Sequence, residues 1–203
     1  MWCMLDGRHQ HPGDTGRAGQ RAALIAPRSW GAEALARVDA AWQDSVMPRY
    51  VVARKLSLLN GDFTITDQDT GRGCFRVNGK GLLNTRLSFH DLAGEEHAFI
   101  EQRGLSRIYE IHRSGEIAAR IHPTSAVRRR LAVETNDSGT IYVTGNISGM
   151  EYLLARDGVA VATVSTSTPV AGSYTADIED TEDQALMLAV VVTIEAIQHQ
   201  EQS

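Results

Sequence analysis

TEDQALMLAVVVTIEAIQ, residues 181–198, is the stretch that decides the fold. Eleven of the thirteen residues from Ala185 to Ile197 are apolar, and only Thr193 and Glu195 interrupt them. A helix that is apolar on every side has to be surrounded by protein. The stretch is too short to span a bilayer, which needs roughly 20 apolar residues. We therefore predict a buried central helix. Its core side chains are expected to be Leu186, Leu188, Val191 and Ile194.

Over this stretch, the residues' strand propensity and the signals for a helix N-terminus disagree. The β-branched run from Val190 to Ile194 favours a strand. Thr181 and Gln184, however, have the spacing of a capping box. The two acids between them place negative charge in the first turn, where the helix dipole favours it. We therefore predict a helix that begins at Thr181.

Length and composition limit the class of protein. The chain has 203 residues, of which 42% are hydrophobic, and a net charge of −5. These values are typical of one soluble globular domain with a sizeable core. The negative charge argues against a nucleic-acid partner. Two cysteines, Cys3 and Cys74, are too few for a disulfide framework or a cysteine-built zinc site. We expect no cofactor and, because no signal-peptide pattern is evident, a cytoplasmic location.

Residues 1–46 differ from the rest of the chain. They contain all three tryptophans, five arginines, five acids and no lysine. Gly7–Gly19 is rich in Gly, His and Arg, a composition typical of disorder. Residues 32–42 show helical spacing at Leu35, Val38 and Trp42. We predict a largely disordered extension over 1–46, with a short helix at 32–42, and one domain over 47–203.

From Pro48 onward, short alternating runs are separated by turn dipeptides such as Asn60-Gly61 and Asp157-Gly158. About twelve strands are predicted, with Pro123 expected to interrupt the pattern. The predicted runs are 50–58, 63–66, 74–78, 83–90, 96–102, 107–113, 117–121, 128–134, 141–144, 152–155, 159–165 and 174–178.

Closing the strands into a barrel would remove exposed sheet edges. About eight strands enclose only side chains, so roughly twelve leave room for a helix. The sequence therefore predicts a mainly β protein, a closed antiparallel barrel around the C-terminal helix. A two-sheet sandwich capped by that helix is the alternative.

Three segments carry a family resemblance. They are PRYVVARKLSLLNGDFTITDQDTGR (48–72), GNISGMEYLLARDGVAVATVS (145–165) and SYTADIEDTEDQALMLAVVVTIEAI (173–197). Together they resemble the LURP-one-related family, relatives of phospholipid scramblases and of the tubby C-terminal domain. The resemblance implies a twelve-stranded barrel around a hydrophobic C-terminal helix. The chain departs from the family pattern in STSTPVAG (165–172), where a Lys and a Trp are expected.

The densest positive cluster is formed by three consecutive arginines, Arg128 to Arg130. On a strand, Arg128 and Arg130 share a face and could bind a phosphate or a lipid head group. The tubby-like resemblance implies phosphoinositide binding, which agrees with this interpretation. A solvated strand end explains the same residues without a ligand.

No catalytic or metal site is predicted. Serine-nucleophile and phosphate-loop motifs are absent. The histidines at 90, 97, 112 and 122 fall on different strands and are interpreted as surface positions. The acids between Asp177 and Asp183 lack the spacing of a calcium loop, although scramblase-like relatives are linked to calcium.

The leading hypothesis is a non-enzymatic binding module that associates with phospholipid head groups or a membrane surface as a peripheral protein. The alternatives are a hydrolase or other enzyme with a loop-built site, and a protein-interaction domain.

Overall fold

The computed structural model describes residues 47–54, 62–80, 86–104, 106–125, 130–166 and 172–202. The extension over 1–46, with its predicted helix at 32–42, lies outside them. The described residues form twelve strands, a short 3-10 turn (Ile147–Gly149) and one α-helix, α1 (Gln184–Gln202). The strands are β1 (Arg49–Arg54), β2 (Phe63–Asp67), β3 (Gly73–Lys80), β4 (Arg86–Asp91), β5 (Glu96–Gln102), β6 (Tyr109–Arg113), β7 (Glu116–Ser125), β8 (Arg130–Thr135), β9 (Gly139–Asn146), β10 (Glu151–Arg156), β11 (Val159–Ser165) and β12 (Ser173–Ile178).

The sheet closes on itself. Each strand pairs antiparallel with its neighbours in the chain, and β1 also pairs with β12, where Val51 lies opposite Thr175. The predicted twelve-stranded barrel is confirmed, and the two-sheet alternative is wrong. Closure gives every strand two partners, so the barrel has no free edge.

Strand direction follows from the tight turns. Asp157 and Gly158 both have positive φ, 51° and 80°, which matches the right-handed twist of the β10–β11 hairpin. Because the strands alternate in direction, successive turns lie at opposite ends of the barrel. The turns that follow even-numbered strands, and the start of α1, therefore lie at the same end.

Pro123 does not end its strand, contrary to the sequence prediction. It lies within β7, opposite Leu131 of β8, and the ladder shifts register between Pro123 and Ser125. Proline has no N–H to donate, so a strand accepts it where the ladder is already irregular.

Helix α1 fills the barrel. The predicted core residues Leu188, Val191 and Ile194 are fully buried, and they belong to one core with the inward side chains of the strands. Leu186 is only partly buried and packs at the margin of that core. The predicted buried central helix is therefore confirmed, with Leu186 as its exception.

The helix begins three residues later than predicted, at Gln184 rather than Thr181. Asp183 is the residue that caps it, since its Oδ1 accepts a hydrogen bond of 3.0 Å from the backbone N–H of Leu186. The Gln184 side chain instead donates to the carbonyl of Glu179 at 2.6 Å. The aspartate side chain thus satisfies one of the free N–H groups of the first turn without the predicted capping box.

Candidate functional site

The filled barrel places candidate sites on its outer face and at its ends. No helix in the described part of the chain is long and apolar enough to cross a bilayer. The lumen is occupied by α1, whose residues from Leu188 to Ile194 are fully buried. Candidate sites are therefore formed by outward-facing side chains.

The acids before α1 fasten the helix to one end of the barrel. Asp183 is ion-paired with Arg113 of β6, and Glu182 with Arg156 of β10. Asp177 forms two hydrogen bonds with Arg49, one of them 3.0 Å long from Nη2 to Oδ2. This pairing raises the pKa of Arg49. The acids between Asp177 and Asp183 thus supply a helix cap and partners for three arginines.

That end of the barrel is acidic, and we call it the acidic end. Three of its arginines are paired as just described, whereas several of its acids are exposed. The exposed acids are Asp69, Glu95, Glu96, Glu116, Asp137, Asp157 and Asp180. The acidic end therefore repels anionic partners.

The opposite end, where α1 finishes, carries arginines in or beside the strand ends. We call it the basic end and define it by Arg54, Arg86, Arg103, Arg107 and Arg130. Acids at this end include Asp62 just before β2, Glu151 at the start of β10, and Glu101, one residue from the end of β5. The described residues thus show opposite charges at the two ends of the barrel.

Of the two predicted ligand-binding arginines, the structure places one. Arg130 opens β8, is exposed, and makes no ion pair with the described residues. Arg128 lies outside the described residues. Arg103 was not singled out by the sequence analysis, although its side chain is 67% exposed at the same end of the barrel.

A second feature lies on the outer face of the β5–β6 hairpin. It is a groove of about 290 Å³ that residues of both strands line. Side chains from β5, β6 and the β6–β7 turn line it, among them His97, Phe99, Glu101 and His112. Two of the four histidines interpreted as surface positions therefore border one cleft.

Strand register brings two carboxylates to His112. Glu101 lies opposite Glu110, and Phe99 lies opposite His112. The His112 Nε2 is 3.6 Å from Glu101 Oε1 and 3.8 Å from Glu110 Oε2. The Glu110 side chain is only 10% exposed, unusually little for an outward-facing acid. We call these three residues the hairpin cluster.

Arginines hold the remaining oxygen of each carboxylate. Arg86 Nη2 lies 3.3 Å from Glu101 Oε2, and Arg120 Nε lies 3.0 Å from Glu110 Oε1. The oxygens that face His112 are thus left unoccupied by these arginines. Sequence analysis missed both glutamates. The signal was available, because a β5–β6 hairpin in register places alternate residues of both strands on one face.

The other histidines have simpler surroundings. His97 Nε2 is 3.5 Å from Asp91 Oδ2, and His122 Nε2 is 3.1 Å from Glu134 Oε1. The Asp91 carboxylate also accepts a hydrogen bond of 2.9 Å from the backbone N–H of Glu95, which lowers its pKa.

Asp91, Glu95 and His97 form a second group of possible metal ligands, which we call the turn cluster.

A buried polar group lies inside the barrel near the end of α1. Burial raises the pKa of Glu195, while the neighbouring Tyr174 hydroxyl and Arg54 act in the opposite direction. The Tyr152 hydroxyl is buried without a hydrogen-bond partner, the Tyr174 hydroxyl faces Glu195, and burial raises the pKa of both tyrosines. These polar groups surround the second half of α1, and their burial with few hydrogen bonds costs free energy of folding.

The barrel and its internal helix define the class of protein: a closed antiparallel barrel with a central C-terminal helix. Comparison with family models matches residues 49–195 to the LURP-one-related family, most of the chain. The chain belongs to that family.

A solved X-ray structure of an Arabidopsis thaliana protein is similar to this chain, with a TM-score of 0.58 and 17% sequence identity. The similarity covers 79% of this chain and 96% of that one, and at this identity it shows the fold alone. A comparison with functionally curated proteins finds no match.

Proposed function

We propose that this protein is a non-enzymatic binding module that attaches to anionic phospholipid head groups through its basic end. The observation that carries the proposal is the separation of charge between the two ends of the barrel. Arg103 and Arg130 are exposed at one end, whereas exposed acids occupy the other. Such a molecule would meet an anionic surface with one end only.

The net charge of −5 does not oppose this orientation. Fields from charges more than about 10 Å from the surface are screened at ordinary ionic strength. The acids at the far end of a barrel therefore add little repulsion. An arginine near an anionic membrane contributes about 1 kcal/mol to binding.

The proposal makes this a peripheral membrane protein. Arg128, beside Arg130 in the sequence, remains a predicted contributor. Among the described residues, Arg103 and Arg130 are the side chains whose replacement tests the proposal.

Co-sedimentation with liposomes is the deciding measurement. We expect the full chain to bind vesicles of mixed phosphatidylcholine and phosphatidylserine, to bind less as salt rises, and to ignore phosphatidylcholine alone. Replacing Arg103 and Arg130 by Ala removes about 2 kcal/mol, a loss of roughly 30-fold in affinity.

Arg72→Ala combined with Arg76→Ala is the matched control. Both arginines are exposed and lie away from the basic end, in or just before β3. The net charge changes by the same amount as in the test variant. Equal loss of binding in the two variants would show that only net charge matters, and absence of binding by the parent would refute the proposal.

A further inference from the structure

We propose that the hairpin cluster, Glu101, Glu110 and His112, binds a divalent cation of the zinc type. This inference does not rest on the head-group proposal, although the cluster adjoins Arg86 and Arg103 of the basic end. It rests on the spacing of three ligand atoms, on how the carboxylates are held, and on the adjoining groove.

The spacing suits a small cation. Zinc bonds to histidine nitrogen and carboxylate oxygen are about 2.0–2.2 Å long, so neighbouring ligand atoms of a tetrahedral site lie about 3.3–3.6 Å apart. His112 Nε2 lies 3.6 Å and 3.8 Å from the facing oxygens of Glu101 and Glu110. The three ligand atoms all lie within 4.8 Å of one another, so small side-chain movements would bring them to bonding distance of one ion.

The ligand atoms are also prepared for this role. Each carboxylate gives one oxygen to an arginine, Arg86 or Arg120, and turns the other toward His112. Partners of this kind orient metal ligands in known sites. His112 Nε2 itself is shielded from solvent and has no hydrogen-bond partner. A buried ring nitrogen without a partner is costly, and a cation would satisfy it.

The type of metal follows from the donor set. One imidazole and two carboxylates match borderline cations such as Zn²⁺ better than Ca²⁺, which prefers oxygen ligands alone. The groove of about 290 Å³ passes beside His112 and Glu101. It leaves room for a water molecule or a ligand atom at the fourth position of the ion.

The charges around the cluster limit its affinity. Arg86, Arg103 and Arg120 lie near two carboxylates, which leaves an excess of one positive charge with His112 neutral. The three arginines are 44–67% exposed, so solvent screens much of this repulsion. We therefore expect weaker binding than at a structural zinc centre.

The turn cluster is the competing location. Asp91, Glu95 and His97 carry no neighbouring arginine ion pair among the described residues, but Glu95 is exposed. Its carboxylate would have to be ordered by the ion. The hairpin cluster lies on paired strands, so less ordering is needed there.

Calorimetric titration with Zn²⁺ tests the assignment. The full chain is used with His9→Ala and His11→Ala, which removes two histidines outside the described residues. We expect one equivalent of Zn²⁺ to bind, and binding to weaken at least tenfold in His112→Ala and in Glu101→Gln. His97→Ala is the matched control and should keep the parent affinity.

Melting curves recorded with a chelator show whether each variant still folds, and Glu101→Gln keeps the test decisive should His112→Ala unfold. The inference is overturned if the parent binds no Zn²⁺, or if His112→Ala and Glu101→Gln bind as the parent does. Loss of binding in His97→Ala alone would assign the ion to the turn cluster and overturn it as well.

Discussion

At the scale of single residues, Glu195 is the most informative position. It is one of two polar residues in the apolar stretch of α1, and it lies inside the barrel beside Tyr152, Tyr174 and Arg54. Because burial raises the pKa of Glu195, the folded protein binds its proton more tightly than the unfolded chain does. Stability linked to this group is fully present below the unfolded pKa of about 4.5 and is lost as pH rises through the folded pKa.

Glu195→Gln should therefore stabilise the protein at neutral pH, raising Tm by a few degrees, because the amide has no charge to desolvate. The gain should shrink as the pH falls toward about 4.5, where the glutamate of the parent is protonated as well. Melting curves of both proteins across this pH range check the prediction. A gain that is the same at every pH would mean that folding does not raise the pKa of Glu195.

Residues near the sites differed in how well the sequence predicted them. The apolar pattern was enough for Leu188, Val191 and Ile194, because burial on all sides of a helix leaves a direct signature. Glu101 and Glu110 were missed, since their meeting depends on the register of two strands and not on their own spacing. The start of α1 was placed too early, because Thr181 and Asp183 both carry capping side chains and only the geometry selects Asp183.

At the scale of elements, α1 is the part on which the barrel depends. Leu188 is fully buried, and Leu186, two residues earlier, is only partly buried at the margin of the core. Leu188→Asp places an unpaired charge in the interior, which costs a large share of a domain's net stability of about 5–15 kcal/mol. We expect this variant to lose cooperative melting, as followed by circular dichroism.

Leu186→Asp is the matched control for that change. The substituted residue is the same and the helix is the same, but the new carboxylate can reach solvent and lies in the first turn, where the helix dipole favours it. We expect a folded protein with a modest loss of Tm. Equal damage by both substitutions would show that position along α1 matters more than burial.

At the scale of the whole molecule, the sequence pattern predicted the barrel but not the opposite charges of its two ends. Twelve alternating runs and one apolar helix fit one closed architecture, so the fold followed from the pattern. In a barrel of consecutive hairpins, alternate turns lie at the same end. The charges of those turns could therefore have been summed from the sequence, which would have separated Arg103 and Arg130 from Asp157 and Asp180 before the structure was known.

Closure of the barrel by its first strand decides how much of the N-terminus can be removed. The pairing between β1 and β12 starts at Arg49, opposite Asp177, and the family match also begins at residue 49. A chain beginning at Met47 keeps all of β1, so it should melt within a few degrees of the full chain.

A chain beginning at Leu56 loses β1 together with the buried side chains of Tyr50 and Val52. It would expose the edges of β2 and β12 and leave α1 uncovered along one side, so we expect it to aggregate or remain unfolded. Thermal melts and size-exclusion chromatography of the two shortened chains compare them directly. A large loss of stability in the chain beginning at Met47 would show that residues 1–46 contribute to the core, and cooperative folding of the shorter chain would show that the closure between β1 and β12 is dispensable.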